Sequence, residues 1–556
     1  MLPSENPGLN RFVSLPRTLP DWLVYRSGRA PLLLVAPHGG RRAKASALDL
    51  DDPRKVNDLH TAEITLELSR RLDAPAIVNR AEDRNRLDLN RVTDVRERAP
   101  WLLDLLLEAA RHQIAASGEA VVLFLHGWNA IQPYCDVGIG ARLAGGTLVP
   151  VRQGVPTIPP RFLPRLARFA AACRRDGIEV TVGDRYPAAG RDNMMQIFTE
   201  RFVADHDPRI AELAALGAAG QIAAVQLELA VPLRWPGELR ARFLQAVEEL
   251  ADRGDVDASL PDPWTMPERG RARFDPHAVA VEFHDGRAGI GCFAATEQLA
   301  SGRRQGRFLV CVGANRLGLF TGEHSAPQED SLQALRCCGL EWARGASGEI
   351  HLRFDGPCLA FPRTDPFLDL ETGLAEADLS HLGARLVWLP RTAGARLGHV
   401  EGEIRYGDST SQISAPAAVR FGSRAEPRGW RERVALNVPI GSETFLSIVS
   451  RRTSEEQVEG EIVHDGRVEP LLSGVVSVRQ RADGLLPEAW RIEAASRSGV
   501  LRVSGHVTYA VPVVRPTPEG KLFTVFGLAR FSADGRVGFG TFEQSRDIPA
   551  RKGARR

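Results

Sequence analysis

The stretch LLLVAPHGG, residues 32–40, decides the fold of the first half of this chain. Its apolar run, Leu32–Ala36, has the composition of a buried β-strand and ends two residues before His38. In an open α/β sheet, ligands bind in the crevice at the carboxyl ends of the strands. The glycines that follow, Gly39 and Gly40, allow a sharp turn and a close approach of another group. His38 is therefore either a ligand-binding residue or an incidental residue of a surface turn, and the stretch alone leaves both interpretations open.

The composition is typical of a globular protein of several units. Of the 556 residues, 43% are hydrophobic and 25% are charged, and the formal net charge of +2 gives no indication of a nucleic-acid partner. No apolar run reaches the ~18 residues of a membrane span, and the polar N-terminus lacks the pattern of a signal peptide. The seven cysteines include no CxxC pair, which predicts neither a disulfide framework nor a thiolate metal site. We therefore expect a cytoplasmic protein without a membrane span.

Up to about residue 255, apolar runs alternate with amphipathic helical stretches, a pattern typical of a sheet covered by helices. The strand candidates are Leu32–Ala36, Ala76–Val78, Val121–Leu125, Glu179–Val182 and Ala223–Leu229. The helix candidates are Thr61–Leu72, Pro100–Ala115, Pro160–Arg175 and Gly237–Ala251. The sequence thus predicts an α/β domain over residues 1–255.

Beyond a linker predicted at 256–275, short alternating runs separated by Gly, Asp, Pro and Ser predict an all-β region, either a barrel or a sandwich. Residues 283–293 and 534–542 share a turn, a Gly-x-Gly and a phenylalanine, which favours duplicated units at 276–395 and 396–556. The closing run, residues 538–543, resembles the closing strand of lipocalin-like barrels in the carotenoid-hydratase superfamily. That resemblance implies an apolar ligand in the β region.

Polar residues with metal-binding chemistry cluster around the strand ends of the first domain. His38 and His126 each follow an apolar strand, and the segment 57–63, which opens a helix, contains two acidic residues, Asp58 and Glu63. Two histidines and a carboxylate can supply the three protein ligands of a catalytic zinc ion, which leaves its fourth position to water. Zinc lowers the pKa of that water, and a base must then accept the proton. Glu228, near the end of another apolar strand, is the candidate base, although it could instead pair with an arginine.

Taken together, four segments resemble the N-formylglutamate amidohydrolase family, which belongs with the zinc carboxypeptidases and aspartoacylases. The segments are Pro37-His38-Gly39-Gly40, Asp58-x-x-Thr61, Arg84 with Asp88-Leu89-Asn90-Arg91, and Leu125-His126-Gly127. The resemblance covers residues 25–255 and implies a phosphorylase/hydrolase-like α/β fold that holds one zinc ion per chain.

The resemblance also implies a role for each site residue. It assigns His38, Asp58 and His126 as the metal ligands. For the middle ligand in sequence order, Glu63 and His60 are alternatives to Asp58, because the His-x-x-Glu spacing of the carboxypeptidases is absent. The general base that it implies is Glu228.

The remaining assignments concern the substrate. The resemblance implies that Asn90 and Arg91 bind a substrate carboxylate, for which a guanidinium offers two parallel donors. The resemblance further implies that Arg84 faces the same substrate or stabilises the developing oxyanion. From the residues alone, Arg191 either reaches the substrate or pairs with Asp192.

These assignments predict a zinc-dependent hydrolase of an amide bond adjacent to a carboxylate, with N-formylglutamate or another N-acyl amino acid as the small substrate. A second hypothesis is an amidase that acts on a larger amide polymer, such as a peptidoglycan fragment or polyglutamate. A third, from another class, is a non-catalytic protein whose β region binds an apolar ligand. Zinc at one equivalent and hydrolysis of acyl amino acids would separate the enzyme from the binding protein, and co-purified lipid or pigment would favour the latter.

Overall fold

The chain falls into two compact units in the computed structural model, and their described residues lie within 19–252 and 278–549. The structure describes residues 19–41, 55–144, 147–151, 153–252, 278–299, 302–313, 316–324, 328–331, 334–362, 370–391, 397–422, 431–440, 444–453, 456–464, 467–482, 484–517 and 520–549. The predicted linker 256–275 lies outside these residues. None of the helices in the described ranges combines the length and the apolar character that crossing a membrane requires.

The first unit consists of a sheet with helices on both faces. Its strands are β1 (Leu23–Arg26), β2 (Leu32–Ala36), β3 (Ala76–Asn79), β4 (Ala120–Gly127), β5 (Tyr134–Gly138), β6 (Ala141–Ala144), β7 (Thr147–Pro150), β8 (Glu179–Val182) and β9 (Ile222–Leu229). Its α-helices are α1 (Thr61–Leu72), α2 (Val92–Arg98), α3 (Pro100–Ser117), α4 (Leu163–Arg175), α5 (Pro208–Ala218), α6 (Val231–Arg234) and α7 (Glu238–Ala251). Short 3-10 helices cover Pro160–Phe162, Met194–Phe198 and Glu200–Phe202.

Seven of these strands form one mixed sheet in the order β1-β3-β2-β4-β9-β5-β8. The centre is parallel, with β2 between β3 and β4, and β4 next to β9. Strand β1 pairs with β3 in the antiparallel sense, and β5 is antiparallel to β9. The prediction of a mixed sheet covered by helices is confirmed.

Strand β2 is apolar throughout because helices cover both faces of the sheet. Leu34 belongs to the core cluster that includes Leu68 of α1, whereas its neighbour Leu33 belongs to the cluster that includes Leu103 of α3. Because β3, β2, β4 and β9 run parallel, their carboxyl ends lie at one edge of the sheet. His38, which follows β2, lies at this edge.

In its described ranges, the second unit consists of antiparallel strands and one short helix. Its strands are β10 (Ala278–Asp285), β11 (Ile290–Gln298), β12 (Arg304–Val312), β13 (Arg316–His324), β14 (Gln328–Ser331), β15 (Ala334–Cys337), β16 (Leu340–Arg344), β17 (Ile350–Phe361), β18 (Asp378–Pro390), β19 (Leu397–Tyr406), β20 (Ser409–Gly422), β21 (Glu432–Ile440), β22 (Thr444–Arg452), β23 (Glu456–His464), β24 (Arg467–Pro470), β25 (Ser473–Gln480), β26 (Pro487–Ser496), β27 (Gly499–Thr517), β28 (Gly520–Ala533) and β29 (Arg536–Pro549). The helix is α8 (Leu370–Glu376).

These strands form a barrel and a half-barrel. Eight strands in the order β13-β12-β11-β10-β20-β19-β18-β17 close into a barrel through the pairing of β13 with β17, and β16, β15 and β14 continue from β17. The half-barrel has nine strands in the order β24-β23-β22-β21-β29-β28-β27-β26-β25. The prediction of an all-β region is confirmed at this level, and its lipocalin-like character stays a prediction. Strand pairing changes from the first sheet to the second between Gly422 and Glu432, whereas the sequence-based division was placed at residue 396.

Candidate metal centre

Three buried side chains converge at the carboxyl edge of the first unit's sheet. His38 follows β2, His126 lies near the end of β4, and Asp58 precedes α1. The backbone N–H of Asp58 donates to the carbonyl oxygen of His38 at 2.9 Å, which fixes this segment against the end of β2. All three side chains are almost completely buried.

The geometry of this group fits a divalent metal ion. Nδ1 of His38 and Nδ1 of His126 both lie 3.2 Å from Oδ2 of Asp58. One ligand atom from each residue falls within 4.8 Å of the others. Ligand atoms around a tetrahedral zinc ion lie about 3.3 Å apart, given bonds of roughly 2.0–2.1 Å. In addition, Nε2 of His126 is buried and has no hydrogen-bond partner among the residues that the structure describes.

The charges around Asp58 favour its ionised form. Burial raises the pKa of this carboxyl, but the Arg84 guanidinium and the hydrogen bonds to His126 and His38 outweigh burial and hold the pKa well below its usual range. NH1 of Arg84 donates to Oδ1 of Asp58 at 2.9 Å. Burial lowers the pKa of His126 to about 4, which favours the neutral imidazole that a metal needs as a ligand.

The two competing residues for the middle ligand lie outside this group. Glu63 is half-exposed and lies 3.6 Å from NH2 of Arg41. His60 caps α1 with a left-handed backbone (φ 67°), and its ring packs against Trp235 at 4.4 Å between centroids. Of the three residues, Asp58 is the one that the structure brings to both histidines.

Asp88 contacts the ring of His38 on the side away from Asp58. Asp88 has no role in the sequence-based assignments. Its Oδ1 lies 2.6 Å from Nε2 of His38, on the ring nitrogen opposite the one that faces Asp58. A carboxylate on the second nitrogen of a metal-binding histidine fixes the tautomer and orientation of the ring. Asp88 also accepts from the backbone of Asn90 at 3.1 Å. The Asp-Leu-Asn-Arg motif was the available signal, but it does not show which histidine the aspartate contacts.

Glu228 lies on β9, the strand next to β4, which carries His126. We refer to His38, Asp58 and His126 together as the metal group. In the pairing of β4 with β9, Glu228 is the direct partner of His126, so both side chains project from the same face of the sheet. Oε1 of Glu228 accepts from Nε2 of Gln226 at 2.8 Å. Burial, followed by the charge of Asp58, raises the pKa of Glu228 to about 8. Gln226, which the sequence prediction missed, thus connects this carboxylate to the neighbouring cavity.

A cavity of about 620 Å³ opens beside the metal group. Its lining includes most of the predicted substrate-binding and catalytic residues, namely Arg84, Asn90, Arg91 and Arg191, together with His38, Asp88 and Gln226. Among the described residues, five cationic side chains line it, Lys55, Arg84, Arg91, Arg185 and Arg191, together with the two carboxylates Asp88 and Asp192. The cavity is therefore suited to an anionic ligand.

Arg91 is held at the cavity wall by two carboxylates. Its Nε lies 3.3 Å from Oδ2 of Asp88, and its NH1 lies 3.2 Å from Oδ2 of Asp192. Asp192 also accepts from the backbone and side chain of Thr93. Among the described residues, the partners of the Asp192 carboxylate are Arg91 and Thr93, and no ion pair joins it to Arg191, which lines the cavity. Oδ1 of Asn90 is buried and finds no hydrogen-bond partner within the described ranges.

Comparisons with known proteins do not identify a family. No protein-family model matches the chain, and no curated protein gives a significant match. A solved N-formylglutamate amidohydrolase from Ralstonia eutropha JMP134 is 16% identical, covering 41% of this chain and 95% of its own, with a TM-score of 0.28. A solved protein assigned as AttH from Nitrosomonas europaea is 10% identical, covering 48% of this chain and 90% of its own, with a TM-score of 0.34. At TM-scores this low, neither likeness decides the function of this chain.

Proposed function

We propose that the first unit is a metal-dependent hydrolase of an amide bond adjacent to a carboxylate, with N-formylglutamate or another N-acyl amino acid as substrate. The observation that carries this proposal is the convergence of His38, Asp58 and His126 within 4.8 Å beside a cavity rich in cations. The substrate class comes from the sequence motifs that resemble the N-formylglutamate amidohydrolase family.

In this proposal, His38, Asp58 and His126 hold one zinc ion. Two imidazoles and a carboxylate suit zinc and also several other first-row metals. When bound, such an ion polarises a carbonyl oxygen and lowers the pKa of water. Arg84 fixes Asp58 through Oδ1, which leaves Oδ2 directed at the two histidines.

Glu228 accepts the proton of the attacking water and passes it to the leaving amine nitrogen. Water adds to the amide carbonyl carbon, the C–N bond then breaks, and the products are a carboxylic acid and an amine. Gln226 donates to Oε1 of Glu228 and so holds this carboxylate in one orientation. The raised pKa of Glu228 suits a group that both accepts and returns a proton near neutral pH.

Asn90 and Arg91 bind the substrate carboxylate. The guanidinium of Arg91 lies at the cavity wall, where Asp88 and Asp192 hold it in place. The unpaired Oδ1 of Asn90 is a further polar atom that a substrate N–H can satisfy. Arg84, which also lines the cavity, stabilises negative charge that develops on the carbonyl oxygen.

A second candidate is an amidase that acts on a larger amide, and the size of the cavity favours it. A volume of about 620 Å³ lies in the range of roughly 300–1,000 Å³ found for pockets that bury drug-sized ligands. An N-formyl amino acid fills only part of such a space.

The test is hydrolysis by the full-length, zinc-loaded chain of a panel of N-formyl, N-acetyl and peptide-linked amino acids, with amine release as the readout. We expect E228Q to lower kcat by about 10²–10⁴-fold while it keeps its zinc, because the amide cannot accept the proton. The matched control is E238Q, an exposed glutamate at the start of α7, with full activity expected. Activity of E228Q equal to wild type would remove Glu228 from the reaction, and no hydrolysis of any substrate by the zinc-loaded wild type would refute the proposed function.

A further inference from the structure

Arg234 is a completely buried arginine at the end of α6, next to the metal group. Among the described residues, its hydrogen-bond partners are all neutral oxygens. Nε donates to the carbonyl of Leu229 at 3.0 Å, NH1 to the carbonyl of Leu59 at 2.6 Å, and NH2 to the carbonyl of Trp128 at 3.0 Å. NH2 also donates to Oδ1 of Asn129 at 3.0 Å.

Each of the three carbonyls belongs to a segment that carries a residue of the candidate site. Leu59 follows Asp58 directly, and Leu229 follows Glu228 directly. The third carbonyl, that of Trp128, lies two residues after His126. These segments are far apart in sequence, and one guanidinium joins all three. Because its donors lie in a rigid planar fork, the guanidinium fixes the relative positions of its acceptors.

The local sequence leaves room for this guanidinium. Gly127 lies between His126 and Trp128, and a Cβ atom added to it would lie 2.4 Å from NH1 of Arg234 and 3.0 Å from Cβ of Asp58. A side chain at this position would therefore displace the guanidinium or the Asp58 segment. The glycine and the arginine together explain how the ends of β4 and β9 and the segment before α1 pack closely around one guanidinium.

We propose that Arg234 is a positioning residue for the candidate metal centre, which holds the segments of Asp58, His126 and Glu228 in the arrangement that binds the metal. Its positive charge also interacts electrostatically with the carboxylates of Asp58 and Glu228. This inference rests on the proposed function, since it assumes that the centre binds a metal ion. In the described part of the chain, Arg234 hydrogen-bonds to none of the side chains of Asp58, His126 and Glu228, so it acts on them through the backbone carbonyls of their segments.

The test compares R234M and R234K with wild type in the full-length chain. The metal affinity of the apo protein is measured by competition with a chromophoric zinc chelator, and the coordination geometry is measured by the visible absorption of the cobalt(II)-loaded protein. The matched control is R165M. Arg165 belongs to the same unit, its side chain is 13% exposed, and it pairs with Glu119 at 2.7 Å.

We expect R234M to lower zinc affinity about 10–100-fold and to change the cobalt spectrum, as the loss of an outer partner of a metal site does. R234K keeps the charge but not the planar fork, so we expect an intermediate loss. R165M should lower thermal stability without changing either metal readout. If R234M does not fold, the zinc affinity and the cobalt spectrum of R234K test the inference.

Wild-type zinc affinity and an unchanged cobalt spectrum in the folded Arg234 variants would overturn the inference and leave the proposed function standing. A wild-type protein that binds no zinc would refute the proposed metal centre itself. The two failures are therefore distinguishable.

Discussion

Nε2 of His38 lies 2.6 Å from Oδ1 of Asp88, while Nδ1 of the same ring lies 3.2 Å from Oδ2 of Asp58. The ring is thus held between two carboxylates, one on each nitrogen. If Asp58 and His38 bind the metal, Asp88 occupies the outer position that orients a metal-binding histidine. The same Asp88 carboxylate contacts Arg91, so it connects the metal group to the predicted carboxylate-binding residue.

The first prediction concerns this outer carboxylate. We expect D88N to lower zinc affinity about 10–100-fold, because the amide no longer fixes the ring of His38 as a carboxylate does. Competition with a zinc chelator measures the change. D192N is the matched control, since Asp192 also contacts Arg91 but has no hydrogen bond to His38. Equal zinc affinity in D88N and D192N would contradict an orienting role for Asp88.

The second prediction concerns Arg91. We expect R91A to lower kcat/KM about 10–100-fold for substrates with a free carboxylate, mainly through KM, because a charge-assisted hydrogen bond contributes about 1.5–3 kcal/mol. The same substrates with a carboxamide in place of the carboxylate should lose little further activity in the variant. R86A is the control, because Arg86 is an exposed neighbour that pairs with Glu82. An equal loss for the acid and the carboxamide would exclude carboxylate binding by Arg91.

In the second unit, Glu543 of β29 connects the barrel to the half-barrel. It accepts from Arg433 of β21 at 2.7 Å and from Arg420 of β20 at 3.3 Å. Burial raises the pKa of Glu543, but the charges of Arg433, Arg420 and Arg307 outweigh burial and hold it below its ordinary value of 4.5. The ionised carboxylate therefore stabilises the folded state above about pH 4.5, and this contribution is lost as the pH falls through the folded pKa.

The third prediction follows from the lowered pKa of Glu543. We expect E543Q to lower the free energy of unfolding by about 1–3 kcal/mol at pH 7, because two arginines lose a charged partner. The difference from wild type should shrink below about pH 4.5. Urea unfolding followed by circular dichroism at pH 7 and pH 3.5 measures it. E493Q is the control, because its exposed pair with Arg502 contributes only about 0–1 kcal/mol. A difference for E543Q that grows at low pH would contradict the argument.

The parts of the fold that could be predicted are those with strong periodicity. Helix α1 begins and ends at the predicted residues, Thr61 and Leu72, because its apolar positions repeat at helical spacing. Strand β2 also matches its prediction, since a fully apolar run is required where helices cover both faces. Strands β1 and β5 of the seven-stranded sheet were missed, as was the separate pair β6 and β7. Strand β1 is short and only partly buried, and β5 contains the charged residue Asp136, which is satisfied by loop backbone groups from Asp184 to Tyr186.

The sequence predicted the site residues that lie at strand ends, but it did not predict the contacts that join different segments of the site. His38, His126 and Glu228 come at the ends of parallel strands, so the topology of the sheet brings them together. The contacts of Asp88 with His38 depend on the path of a loop, and those of Arg234 depend on how the ends of β4 and β9 pack against the segment before α1. Neither follows from hydrophobic periodicity. The same limit applies to the division of the β region, because the change of sheet after Gly422 depends on which strands pair.

The central claim is that His38, Asp58 and His126 bind one metal ion. Elemental mass spectrometry of the purified wild type, H38A and H126A, each offered zinc and then dialysed, tests it most directly. We expect about one zinc per chain in the wild type and none retained in either variant, with the fold of both variants checked by circular dichroism. A wild type that retains no zinc, or folded variants that retain as much as the wild type, would contradict the account.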